Sequence, residues 1–203
     1  MRVVLASNNA KKLAELQALF APLGVELVTQ GSLGVPEAAE PHPTFVENAL
    51  EKARHASRLT GLPALADDSG LSVDALGGAP GVLSARYATL FGGPRDDGAN
   101  NEALLRQLQA VEDRRARFVC VLAALRRPDD PEPLIAMGRW DGEVLRGPRG
   151  QGGFGYDPLM WIPALGASVA ELDAAVKNRH SHRAQAAREL TRLMREVWLG
   201  GRG

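Results

Sequence analysis

Apolar and polar residues follow each other along this chain with two periods, which predict interleaved helices and strands. Residues 3–6 form an apolar run typical of a buried strand. From Leu13 to Phe20 the apolar residues recur at helical spacing, and Gly24 is the predicted stop of that helix. Residues 25–28 predict a short second strand, so the chain begins with a strand, a helix and a strand.

A second helix and two paired strands are predicted next. Thr44-Phe45-Val46-Glu47 has the pattern of a capping box, and its helix is expected to end near Gly61. Two apolar runs, residues 62–65 and 71–76, flank Asp67-Asp68, and the second run has the period of a half-buried strand. We therefore expect the two aspartates at a strand end. The alternative is a solvated turn, because Asp, Ser and Gly are ordinary turn residues.

The second half of the chain is rich in strand-like segments. Strands are predicted over residues 117–125, 134–140, 144–145 and 159–162. Helices are predicted over 102–111, after a polar insertion at 92–99, and from about His182 to Leu199, ending at Gly200-Gly201. Helices at both ends and a strand-rich middle indicate an α/β protein built on a mixed β-sheet.

Composition narrows the class of protein. The 203 residues, 45% of them hydrophobic, are enough for a substantial core and suit one large domain or two lobes that share a sheet, and we expect a single domain over 1–203. Lys+Arg and Asp+Glu both number 24, so no global charge favours nucleic acid or an anionic membrane as a partner. The single cysteine, Cys120, lies in an apolar run, which favours a core thiol in a reducing compartment. No run is long enough to span a bilayer, and we expect a cytoplasmic protein.

The first candidate for chemistry is Ser7-Asn8-Asn9-Ala10-Lys11-Lys12, between a strand end and a helix start. The N-terminus of a helix offers unpaired N–H groups and partial positive charge, which suit a phosphate. Lys12 could fold back onto the same anion. The alternative is that Ser7 or Asn9 merely caps the helix.

Carboxylates form the second candidate. Asp67 and Asp68 repel each other unless a cation, a proton or a hydrogen-bond donor offsets their charge. A hard ion such as Mg²⁺ prefers oxygen ligands and would do so. Glu40, in a proline-containing loop, becomes a further ligand only if the fold brings it beside Asp68, and is otherwise a solvated side chain.

A glycine-flanked aromatic residue and a basic segment complete the candidates. Glycines on both sides of Phe154 leave its ring open for a flat ligand, and stacking on such a ring contributes about 1–3 kcal/mol per base. The alternative is a tight turn whose Phe154 and Tyr156 enter the core. Lys177 and Ser181-His182-Arg183 place cations near a helix start, for which a solvated basic segment is the alternative.

Six segments of this chain, in their order along the sequence, resemble motifs of one family. These are the inosine triphosphate pyrophosphatases, also called dITP/XTP or non-standard purine NTP pyrophosphatases. The resemblance runs from Val3 to about Ala187. The segments are Ser7-x-Asn9-x-x-Lys12, 44–49 with Lys52-Ala53, 66–71, 77–81 with 84–87, 153–158 and 181–183. The segment from Leu90 to Asn100 departs from the family's length and composition.

The resemblance implies an Mg²⁺-dependent enzyme that cleaves ITP, dITP or XTP between the α- and β-phosphates, giving a nucleoside monophosphate and pyrophosphate. It also implies an elongated mixed β-sheet flanked by helices, two lobes with a cleft between them, and a homodimer.

The resemblance also implies roles for the residues that match the family's motifs. Ser7, Asn8, Asn9, Ala10, Lys11 and Lys12 would bind the triphosphate. Glu40 and Asp68 would bind the metal, Asp68 would also be the proton acceptor, and Ser69 would lie beside the substrate. The residues expected to bind the nucleotide, chiefly around the base, are Phe154, Gly155, Tyr156, Asp157, Lys177, His182 and Arg183. Donors such as Arg183 suit the O6 acceptor of a 6-keto purine.

The sequence leaves two other functions open. A related pyrophosphatase for modified pyrimidine nucleotides shares a similar fold. A nucleotide-sensing module that binds without turnover is the alternative from another class, although it has no need of a water-activating carboxylate.

Overall fold

The structure is a computed structural model that describes residues 1–200; Gly201, where the last helix was expected to stop, lies outside them. Within these residues the chain forms seven strands and five α-helices. The strands are β1 (Arg2–Leu5), β2 (Glu26–Thr29), β3 (Ala64–Val73), β4 (Arg115–Leu125), β5 (Leu134–Val144), β6 (Met160–Ile162) and β7 (Ala167–Ser168). The helices are α1 (Ala10–Phe20), α2 (Phe45–Thr60), α3 (Asp97–Gln107), α4 (Ala174–His180) and α5 (His182–Leu193), which continues as a π-helix over Met194–Leu199.

The seven strands form one mixed sheet in the order β2-β1-β3-β4-β5-β6-β7. β1 pairs in parallel with β2 and with β3, whereas β6 pairs antiparallel with both β5 and β7. Parallel neighbours need a crossover, and α1 supplies it between β1 and β2. This confirms the α/β class with a mixed, helix-flanked sheet.

The described chain divides into two compact units. Unit 1 comprises Met1–Asp68, Cys120–Gly138 and residues 182–200, and unit 2 comprises Ser69–Val119 and Arg139–Ser181. β3, β4 and β5 each begin in one unit and end in the other. The expected single domain over 1–203 and the cleft between lobes stay predictions.

Each unit has its own hydrophobic core. In unit 1, residues Leu5, Phe20 and Leu122 belong to a buried cluster that also takes in Leu190 and Met194 of the C-terminal helix. The apolar spacing of α1 and α5 places Phe20 and Leu190 on the buried faces of their helices, as the sequence predicts.

The core of unit 2 is more aromatic. Leu71 and Val73 of β3 lie in one buried cluster with Trp140, Tyr156 and Met160. Tyr156 is buried, and its hydroxyl donates to the carbonyl oxygen of Ser84 at 2.9 Å. For Tyr156 the structure therefore agrees with the alternative interpretation of this loop, in which the tyrosine enters the core.

Helix ends with local signals are where the sequence places them. Thr44 caps α2 by accepting from the N–H of Glu47, and Gly61 follows the helix in the left-handed conformation, with φ of 70°. Gly24, also left-handed, ends the short 3₁₀ turn after α1. These three predictions are confirmed.

Three expectations are wrong. The aspartates do not end a strand, because β3 continues through them. The helix expected over 102–111 begins at Asp97, where the Asp96 side chain caps it. β5 is continuous through the expected break, and Gly142 permits this because a Cβ there would overlap the carbonyl oxygen of Trp161. Strand β7 was not predicted, and neither was the start of helix α4 at Ala174.

Candidate functional site

Asp67 and Asp68 are adjacent in the middle of β3 and both are buried. Successive side chains of a strand point to opposite faces of the sheet, so the two carboxylates are directed away from each other. Asp67 meets two cations and Asp68 meets one, all of them within unit 1. The repulsion expected of two neighbouring carboxylates is thus relieved by the strand geometry, which a turn would not provide.

The Asp67 cluster consists of Lys12, Glu15, Asp67, Cys120 and Arg183. Asp67 accepts from Lys12 Nζ at 2.5 Å through Oδ1 and from Arg183 Nε at 2.8 Å through Oδ2. The Cys120 thiol lies 3.3 Å from the same Oδ2, and Arg183 Nη1 donates to Glu15 at 2.7 Å. Arg183 is only 2% exposed, so its charge is balanced inside the protein.

Charge and burial oppose each other in this cluster. Burial by itself would raise the pKa of Asp67, but the charges of Arg183 and Lys12 outweigh it and hold that pKa well below its usual value. Burial, together with the Asp67 charge, raises the pKa of the Cys120 thiol well above its usual value. The cysteine is therefore a neutral core thiol, as its apolar surroundings in the sequence indicate.

The Asp68 cluster consists of Glu40, Lys52 and Asp68. Lys52 Nζ donates to Asp68 Oδ1 at 2.7 Å, to Glu40 Oε1 at 2.8 Å and to the carbonyl oxygen of Asp67 at 2.9 Å. These three bonds match the three protons of an ammonium group. The fold therefore does bring Glu40 and Asp68 to a common position, as the metal hypothesis requires.

The second carboxylate oxygen of Asp68, Oδ2, bears most directly on what this cluster could bind. Oδ2 is buried and, among residues 1–200, has no hydrogen-bond partner. Burial raises the pKa of Asp68, and the charge of Lys52 offsets only part of that effect. An unsatisfied buried acceptor is unfavourable by about 1–3 kcal/mol and indicates a missing ligand such as a cation, a proton or a water.

Glu40 and Asp68 fit a magnesium ion by the chemistry of their oxygens. Mg²⁺ in proteins is held by one or two carboxylates together with water and substrate phosphates. Within the described residues no group of three or more acidic, histidine or cysteine side chains could hold a metal by itself.

The segment from Ser7 to Lys12 starts α1. Asn9 is the cap, and its Oδ1 accepts from the N–H groups of Lys11 and Lys12 at 3.0 and 3.1 Å. Ser7 Oγ accepts from the N–H of Asn9, and Asn8 Oδ1 accepts from the N–H of Gly31 at 2.8 Å. The capping alternative is what the structure has, and an anion at these N–H groups would compete with Asn9.

The loop around Phe154 lies in unit 2. Asp157 Oδ2 accepts from the N–H of Phe154 at 3.0 Å and from Lys177 Nζ at 2.7 Å. The same Nζ lies 4.6 Å from the centroid of the Phe154 ring, within the range of a cation–π contact. Gly153, with φ of 74°, is required here because a Cβ would overlap the Asp157 carboxylate. Phe154 and Asp157 of this loop thus form one group with Lys177 of α4.

The remaining candidates take different positions. Ser69 follows Asp68 on β3, and Ala10 opens α1. His182 is the first residue of α5 and is 7% exposed. The nucleotide-binding roles of all the candidate residues stay predictions.

Sequence reasoning assigned no role to Lys52 or Glu15, which the structure places in the two charged clusters. Lys52 had a usable signal, since it stands beside Ala53 on the alanine-rich buried face of α2. A lysine on such a face needs a buried counter-charge. Glu15 had none, because its partner Arg183 is 168 residues away.

Fold and clusters together define an α/β protein with a carboxylate pair suited to a divalent cation and, in unit 2, a lysine-covered aromatic ring. A sequence model of the Ham1 family matches residues 3–193. The chain belongs to the Ham1 family.

Relatives of known name cover almost the whole chain. It is 65% identical to the dITP/XTP pyrophosphatase of Leptothrix cholodnii over 98% of this chain and 99% of that one. It is also 65% identical to the dITP/XTP pyrophosphatase of Methylibium petroleiphilum, over 98% and 100% of the two chains.

Solved structures agree with the fold. A HAM1 protein from Coxiella burnetii superimposes with a TM-score of 0.90 at 47% identity, covering 97% of this chain and 100% of that one. The Ham1 protein of Staphylococcus aureus gives a TM-score of 0.86 at 36% identity, covering 97% and 99%. Among residues 1–200, no helix combines the length and apolar character needed to cross a membrane.

Proposed function

We propose that this chain hydrolyses non-standard purine nucleoside triphosphates (dITP, ITP and XTP) to the nucleoside monophosphate and pyrophosphate. The observation that carries the proposal is the near full-length identity of 65% to proteins named dITP/XTP pyrophosphatase. The Asp68 cluster supports it with a buried carboxylate whose free oxygen faces no protein donor among the described residues.

Asp68 is the proposed proton acceptor. A carboxylate within reach of a water can orient it and remove its proton as it attacks phosphorus. Lys52 holds the other oxygen of Asp68 at 2.7 Å, which fixes the carboxylate so that Oδ2 is the oxygen left for the water or metal. A catalytic base of this kind contributes typically about 10²- to 10⁴-fold in rate.

Mg²⁺ is the proposed cofactor, with Glu40 and Asp68 as its ligands. Bound there, the ion would neutralise charge on the phosphates as they react. Lys52 donates to both carboxylates, so it would set their spacing and limit their mutual repulsion.

For the triphosphate we propose the start of α1, with Lys11 and Lys12 as its cations. The helix dipole favours an anion at this position. Lys12 is held by Asp67, which supports a role as a positioned charge rather than a mobile one.

For the base we propose Phe154 and Lys177 as the contacts, with Asp157 orienting the lysine. A 6-keto purine presents an acceptor at O6, where adenine presents a donor. A donor such as Lys177 suits the keto form, and His182 and Arg183 at the start of α5 stay base contacts predicted from the sequence. A buried polar site that faces the wrong partner can reject it strongly.

A nucleotide panel tests the proposal. With Mg²⁺, ITP, dITP and XTP should release pyrophosphate, whereas ATP, GTP, dTTP and UTP should be poor substrates. Removing the metal with EDTA should abolish turnover, and adding Mg²⁺ back should restore it. Stepwise release of orthophosphate, equal turnover of ATP, or preference for dTTP and UTP would refute it. Tight ITP binding without any product would indicate a sensor instead.

We also propose that the protein is a cytoplasmic homodimer. Leu90 and Phe91, adjacent in unit 2, are 56% and 49% exposed. Neighbouring apolar side chains at the surface are favourable in an interface between subunits.

A further inference from the structure

Helix α3 holds the loop that carries Phe154. The backbone N–H of Gly155 donates to Oδ2 of Asp97 at 2.7 Å, and the carbonyl oxygen of Gly155 accepts from Nδ2 of Asn101 at 3.0 Å. Asp97 and Asn101 are four residues apart on α3 and therefore share one face of the helix. Both polar backbone groups of Gly155 are thus bound by a single helix face.

The loop needs such support because of its glycines. Gly155 has φ of 60°, and a Cβ there would meet nothing within 4 Å, so the residue is required for its backbone conformation and not for space. Gly153, on the other side of Phe154, is also left-handed. Glycines populate many backbone conformations, so the contacts of Gly155 with α3 select one of them.

Asn101 is an unfavourable choice for stability. Its Oδ1 is buried and has no hydrogen-bond partner within residues 1–200. An unsatisfied buried acceptor destabilises the folded state, and asparagine is also a poorer helix former than alanine. The hydrogen bond that its side chain does make is the one from Nδ2 to the carbonyl oxygen of Gly155.

We propose that Asp97 and Asn101 are positioning residues for recognition of the nucleobase. By holding Gly155 they keep the Phe154 ring, with Lys177 against it, in the orientation that stacks on a purine. The inference rests on the proposed function, because it takes Phe154 as the base contact. It assigns a role to part of the segment from residue 90 to 100 that departs from the family pattern.

The expected effect falls on binding rather than on the chemical step. When the loop is loosened, its ordering must occur on binding, and this lowers affinity for the base. The reacting phosphates are bound through other residues, so kcat is expected to change little. Loss of one such hydrogen bond corresponds to about a 3- to 10-fold change.

The first experiment compares Asn101→Ala with the wild-type chain. The KM for ITP should rise about 3- to 10-fold, with kcat within about twofold and with the melting temperature unchanged or higher. A merely structural role would lower the melting temperature and leave the KM of the folded enzyme unchanged. Either that result, or a fall in kcat at constant KM, would overturn the inference.

The second experiment uses Asp97. Asp97→Ala should raise the KM for ITP by a similar factor and speed hydrogen exchange at the Gly155 amide, measured by NMR. Asp97→Asn keeps an acceptor for that amide and should therefore restore most of the affinity for ITP. Glu102→Ala is the matched control, since Glu102 is exposed on the same helix and pairs only with Arg106 among the contacts resolved for it. That control should alter neither quantity.

Inorganic tripolyphosphate separates the base from the phosphates. As an inhibitor without a base it should keep the same inhibition constant in the wild-type chain, Asn101→Ala and Asp97→Ala. A parallel weakening of tripolyphosphate would overturn the inference. A wild-type chain that does not cleave ITP would refute the proposed function. The affinity for IMP, measured by calorimetry, would then replace the KM as the measure of base binding. Unaltered hydrogen exchange at the Gly155 amide in Asp97→Ala would refute the positioning contact.

Discussion

Asp67 and Asp68 are neighbours with the same side chain and different chemistry. Asp67 is held by two cations on one face of β3, and its carboxylate is fully engaged. Asp68 meets one lysine on the other face and retains an oxygen without a donor among the described residues. The first is therefore suited to structure and the second to reaction.

Asp68→Asn is expected to lower kcat for ITP about 10²- to 10⁴-fold while leaving the melting temperature almost unchanged. The amide keeps an acceptor for Lys52 but can neither remove a proton from water nor bind a metal well. Steady-state pyrophosphate release and thermal unfolding measure the two effects. Asp129→Asn, an exposed carboxylate that pairs with Arg127, is the control. Turnover near the wild-type value would show that Asp68 is not the base.

Asp67→Asn is expected to destabilise the fold by about 3 kcal/mol, because it leaves the buried Arg183 and Lys12 without their shared counter-charge. Glu15 still balances part of the Arg183 charge, which places the value at the low end for a broken buried pair. Urea unfolding measures it. The matched control is Asp113→Asn, whose pair with Arg115 is exposed, and this variant should change little. Equal losses in both variants would contradict the assignment.

At the level of elements, local signals and packing decide different features. The ends of α2 follow from Thr44 and Gly61, whose backbone and side-chain preferences act within one turn. The early start of α3 escaped prediction because its buried face includes the polar Asn100, which accepts from the N–H of Ala88 at 2.8 Å. An apolar pattern does not register a buried residue of that kind.

The junction of β5 and α5 depends on Gly138. A Cβ at this position would overlap the backbone carbonyl oxygen of His182 and lie 2.7 Å from the N–H nitrogen of Ala186. Gly138→Ala must therefore displace the first turns of α5, which carry His182 and Arg183.

We expect Gly138→Ala to destabilise the fold by about 1–3 kcal/mol, the usual range for an overpacked core, and to lower turnover of ITP as well. Gly147→Ala is the control, because a Cβ there meets nothing within 4 Å and the backbone is not left-handed. Unfolding in urea and pyrophosphate release measure the two variants. A Gly138→Ala chain as stable as Gly147→Ala would show that the strand and helix adjust without loss.

Residues 1–200 form two units, each with its own hydrophobic core, and β3, β4 and β5 each begin in one unit and end in the other. The class of fold followed from the sequence, because periodic burial along each segment is visible in the order of residues. Two lobes were also expected, but not where they divide, since the boundaries between the units fall inside the continuous strands β3, β4 and β5.

At this scale we expect light scattering after size-exclusion chromatography to give twice the mass of one chain. Replacing Leu90 and Phe91 together by glutamate should shift the protein toward monomer, because charges would enter an apolar contact. Leu59→Glu, at a residue 54% exposed in unit 1, is the control for an added surface charge. A wild-type chain that is monomeric at micromolar concentration would contradict the proposed homodimer.

The sequence by itself determined the caps of α2, the alternation that builds the sheet and the residue types from which the candidate site is assembled. It did so because capping, periodicity and side-chain chemistry act over a few neighbouring residues. Only the tertiary structure decided that Asp67 and Asp68 point to opposite faces, and that Arg183, 116 residues from Asp67, neutralises one of them. Such pairing depends on distances through space, which the order of residues does not contain.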